Sequence, residues 1–66
     1  MTLERARELL EVQVYIGQGY NLNSAKLILA EVQREHGIDA TDRLIAELDM
    51  ETVFGFSSGQ VFNLPD

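Results

Sequence analysis

Apolar residues recur at helical spacing in three stretches of this chain, and glycine follows each stretch; that punctuation limits what it can fold into. In the first stretch Leu3, Ala6, Leu10 and Val14 share a face, and Leu9, Val12 and Ile16 form a second row beside it. A period near 3.6 identifies an amphipathic helix, and Thr2 is a suitable N-cap, so the pattern predicts a helix over about 3–16. Within it VQVYI, residues 12–16, alternates with period two and would read as a strand in isolation. The upstream helical periodicity runs through it, and packing commonly overrides such a local preference. Glu4/Arg7 and Arg7/Glu11 are spaced to support the wet face.

Gly17 or Gly19 supplies a left-handed residue to end this helix, and Asn21 or Asn23 can cap the next. The second helix is predicted over about 23–36. Ala25, Ile28, Leu29 and Val32 lie on one face and Leu27 and Ala30 broaden it, which points to a central position. His36, Gly37 and Ile38 mark its end. Asp39 is expected to cap a third helix over about 40–54, with Leu44, Ile45 and Leu48 continued by Met50, Val53 or Phe54 toward Gly55. Asp39 and Arg43 are spaced to pair, and Glu47 and Glu51 to repel. The helical pattern stops there. In residues 56–66, VFNL can pair with the preceding VFGF across SSGQ as a short β-hairpin, or the segment folds back as an extended arm. The expectation is an all-α class: a three-helix domain over 1–55 and a C-terminal apolar arm or hairpin over 56–66.

Sixty-six residues make one domain at most, and a chain this small buries only about 60% of its unfolded surface. There is no cysteine to supply a disulfide or a thiolate metal site. Eighteen Leu, Ile and Val residues with three Phe suffice for a small core. The two rows on the first helix, together with Phe56, Val61, Phe62 and Leu64, exceed what two companion helices can cover, so a homodimer is expected. No apolar run approaches the roughly 20 residues that span a bilayer, and the N-terminus lacks a signal-like apolar core, so no membrane contact and a cytoplasmic location are expected.

The formal charge is −6, unevenly placed. Residues 1–37 hold five acids and four Lys or Arg, and residues 38–66 hold six acids and one Arg. Without a basic stripe to displace counterions, direct nucleic-acid binding is not expected. A helix-turn-helix built on the second and third helices would carry Asp39, Asp42, Glu47 and Asp49 toward phosphate. Gly17 and Gly19 fit neither a dinucleotide fingerprint nor a Walker loop, both of which need further residues absent here. His36 is the only histidine, and a place at a helix C-terminus explains it. The acids of the third helix do not follow a calcium-loop pattern. No catalytic, cofactor-binding or metal residue is nominated, and the chain is not expected to be an enzyme.

The loop Gln18-Gly19-Tyr20 followed by two helices is similar to the Met-Gly-Phe/Tyr loop of ubiquitin-associated domains. That resemblance would cover about residues 5–50 and implies a compact three-helix fold that binds ubiquitin through this loop and its last helix. Gln18 stands where that pattern has methionine, and the second helix is several residues longer, so membership is not assigned. Three helices joined by glycine turns produce the same appearance.

The function expected is a small acidic, non-catalytic protein–protein interaction module, a regulator or adaptor acting on a protein partner, as a homodimer, or both. The candidate interaction residues are Phe56, Val61, Phe62 and Leu64 on the arm and Asp42, Glu47, Asp49 and Glu51 on the third helix. Alternatives are an acidic inhibitor or antitoxin-like protein occupying a basic site, and an accessory subunit of an enzyme.

Overall fold

The computed structural model describes residues 1–16 and 22–62, with the side chain of Leu22 excepted. These residues are helical with no strand: α1 Leu3–Ile16, α2 Leu22–His36, α3 Ile38–Glu47 and α4 Met50–Phe54. The helix α1 runs through VQVYI to Ile16, so the helical period prevails over the local alternation. Thr2 Oγ1 accepts the Arg5 N–H at 3.0 Å, which satisfies one of the unpaired donors of the first turn. The glycine corner at Gly17 and Gly19, with Tyr20, lies outside the described residues.

The helix α2 is central: α1 and α3 each pack on it, and α4 packs on α3. Its Ala25, Leu29, Ala30 and Val32 are buried, meeting Ala6 and Leu10 of α1 and Leu44 and Ile45 of α3 in one core. The outer row of α1 stays out of that core.

Two boundaries differ from expectation. The third helix begins at Ile38, one turn position before Asp39, because Gly37 itself is the N-cap with φ 92° and ψ 173°. This extended, positive-φ region is almost confined to glycine, and it lets one residue both end α2 and start α3. The Gly37 N–H donates to the Gln33 carbonyl at 3.0 Å, and its own carbonyl accepts the Thr41 N–H at 3.3 Å and the Thr41 hydroxyl at 3.0 Å. That hydroxyl bond lets Thr41 be fully buried. Asp39 sits in the first turn, where its charge faces the positive end of the helix dipole. Ile38, expected as a cap contact, is 41% exposed.

The expected helix over 40–54 is two helices. Leu44, Ile45 and Leu48 follow one stripe, but Met50 is two residues beyond Leu48, some 200° around a continuous helix and off the core. Asp49 resolves the conflict by adopting the left-handed conformation at φ 53° and ψ 41°, after which Met50 is fully buried. Gly55 closes α4 in the same conformation.

No hairpin forms among the described residues. Phe54 and Phe56 stack with centroids 5.5 Å apart, and Phe62 meets Phe56 edge-on at 5.2 Å. The SSGQ turn is present: the Gln60 N–H donates to the Ser57 carbonyl, and Gln60 Oε1 accepts the Ser57 N–H. Gln33 of α2 fixes the returning segment, its Nε2 donating to the Gln60 carbonyl and its Oε1 accepting the Phe62 N–H, both at 2.9 Å.

Candidate interaction surface

The structure separates the expected interaction residues that it describes. Phe56 and Phe62, with exposures of 2% and 7%, belong to the core and offer no docking surface in this conformation. Val61 between them points outward at 66% exposure. Leu64 lies outside the described residues. The two aromatic residues of the segment thus fold back onto the helices.

Three of the four expected acids already have partners. Asp42 Oδ1 accepts the Gly59 N–H at 2.9 Å, and Asp49 Oδ1 accepts the Thr52 hydroxyl at 3.0 Å. Glu47 accepts from the Arg7 guanidinium of α1. Glu51 is exposed, and its backbone carbonyl accepts the Gly55 N–H. The acidic surface is thus partly a set of internal ties.

Arg7 also reaches Glu11 at 3.3 Å, whereas Arg5 pairs with Glu8 at 3.4 Å; the expected Glu4/Arg7 and Asp39/Arg43 pairs are not among the ion pairs of the described residues. His36 is engaged at the far end of α2, its Nε2–H donating to the Met1 carbonyl at 2.9 Å. The Met1 ammonium binds both carboxylate oxygens of Glu35, at 2.9 and 3.1 Å. That hydrogen bond holds the Glu35 carboxyl below the usual carboxylate range and raises the pKa of the amine. No group of three or more His, Asp or Glu among the described residues could hold a metal ion.

Among the described residues, three of the four most exposed large apolar side chains lie on the C-terminal half of α1, Val61 being the fourth. Val12 is 53% exposed, Ile16 59% and Tyr15 91%, with Leu9 of the same row half-buried. Beside this row Gln13 Oε1 is buried with no hydrogen-bond partner among the described residues. Sequence reasoning identified the second apolar row of α1 and nominated interaction residues on the C-terminal segment and on the third helix. The signal was present in the spacing of Leu9, Val12 and Ile16.

A second feature lies on the opposite flank of α1. There α1 and α3 do not pack closely on one another, and a groove of about 300 Å³ remains between them. Leu3, Ala40 and Leu44 make its apolar lining, Glu4 and Arg43 its polar lining, and the Arg7–Glu47 ion pair bridges the two helices. Nothing in this arrangement positions a nucleophile against a base.

None of the described helices is long and apolar enough to cross a membrane. Comparison of the chain with protein-family models, with curated protein sequences and with solved structures finds no match.

Proposed function

We propose that this chain is a non-catalytic protein–protein interaction module, a small regulator or adaptor that self-associates and also engages a partner protein carrying an apolar face. The observation that supports it is the outer row of α1. Leaving Val12 and Ile16 more than half exposed forgoes burial worth about 25 cal/mol per Å². In a chain with so small a core, that is a sizeable concession, and an apolar partner would recover it. The acidic-inhibitor reading has less support, because Asp42, Glu47 and Asp49 are occupied within the chain.

The test pairs an interaction screen with direct binding of purified proteins, comparing the wild-type chain with a Val12→Asp/Ile16→Asp variant whose helicity is verified by circular dichroism. A partner bound by the wild type at high salt and lost by the variant is the expected result. Binding that survives the variant but vanishes as salt rises would instead indicate an acidic inhibitor, since exposed charges are screened beyond about 8 Å at physiological ionic strength. A partner whose catalytic activity appears only with this chain would assign it as an accessory subunit.

A further inference from the structure

We infer that the groove between α1 and α3 is the seat of a second copy of this chain, seated about a two-fold axis; this rests on the reading of the protein as self-associating. The groove exists because both helices pack on α2 without closing on each other. Its apolar lining includes Leu3, which is 38% exposed and available to enter a neighbouring groove.

Charge identifies the occupant. Glu4 projects from α1 and Arg43 from α3 into the same groove, and neither belongs to an ion pair among the described residues. Arg7 and Glu47, in contrast, satisfy one another. A two-fold contact is self-complementary: if residue i meets residue j, then j meets i. A second copy therefore sets its Arg43 against Glu4 and its Glu4 against Arg43, with Leu3 of each copy between them. An acidic partner would meet Glu4, and a basic partner would meet Arg43. Only a surface bearing both charges in the reciprocal order satisfies the two together. The pairs are exposed, so they set register and specificity more than affinity.

The experiment is sedimentation equilibrium on the wild-type chain, on Glu4→Arg, on Arg43→Glu, and on an equimolar mixture of the two variants, each verified as helical. Either substitution converts both intermolecular pairs to like-charge contacts and should weaken the dimer by about tenfold or more. The mixture should recover it, because one variant then presents two arginines and the other two glutamates. A wild-type chain that stays monomeric to millimolar concentration overturns self-association and this inference with it. A wild-type dimer indifferent to both variants leaves self-association standing and overturns the groove as its site. Weakening in both variants without recovery on mixing also overturns it, because damage rather than pairing would then explain the loss.

Discussion

Replacing Gln33 by alanine should loosen the C-terminal segment and lower the stability of the whole domain. The Gln33 carboxamide makes two hydrogen bonds of 2.9 Å to the backbone of residues 60 and 62 in a half-buried setting. Each contributes roughly 0.5–1.5 kcal/mol net, so the substitution should cost about 1–3 kcal/mol. A chain of this length has only about 3–10 kcal/mol in total, at roughly 0.05–0.15 kcal/mol per residue. With a urea m-value near 1 kcal/mol/M, the low end for small proteins, the midpoint should fall by roughly 1–3 M. Far-UV circular dichroism in urea reads the global change, and amide exchange at Phe62 reads the local one. Gln33→Glu sharpens the comparison: its carboxylate still accepts from Phe62 but cannot donate to Gln60, so it should be as destabilising near neutral pH and partly recover on protonation. An unchanged midpoint with unchanged exchange at Phe62 would refute the contact. Faster exchange at an unchanged midpoint would show the segment to be an appended arm, outside the cooperative unit.

Gly37→Ala should cost about 1–3 kcal/mol through backbone strain alone, because φ 92° and ψ 173° disfavour an L-residue while a Cβ there meets nothing within 4 Å. A semisynthetic chain with D-alanine at 37 should retain stability in the same thermal melt, and equal loss for both enantiomers would point to a steric cause instead. The Met1–Glu35 contact should confine its stabilisation to a pH window. Glu35 titrates below its ordinary value, so its contribution is present above about pH 4.3 and is lost as pH falls through the lowered value. The amine titrates above its ordinary range, so its contribution is complete below about pH 7.7 and is lost as pH rises through the raised value. Nuclear magnetic resonance titration of the Glu35 side chain checks this, and acetylating the amine should return Glu35 to the ordinary carboxylate range.

The helices were legible because their signals are local. Thr2 and the rows of α1 define the first, and the buried face of α2 follows Ala25, Leu29 and Val32 directly. The break at Asp49 had a sequence trace as well, in the phase slip between Leu48 and Met50. The slip shows that a continuous helix cannot bury both residues, but not that Asp49 rather than a glycine takes the left-handed conformation. The choice between hairpin and fold-back in the tail was open for a different reason. Phe56 and Phe62 are equally apolar whether they face solvent or core, and only the Gln33 contact across 27 and 29 positions decides between these. Spacing within one segment carries no record of such a contact. The α1/α3 groove was invisible for the same reason, since it depends on how α1 and α3 diverge from their common support on α2.

The last turn of α2 carries an unusual share of the chain's closure. Gln33 binds the backbone at residues 60 and 62, while Glu35 and His36 bind Met1 from the same short stretch. Helix termini are ordinarily where fraying begins and where opening has least consequence. Here, fraying by one turn would remove hydrogen bonds from the segment that leads into α1 and from the segment that follows α4 in a single event. The domain should therefore open from both ends together rather than peel from one, with α2 as the common latch.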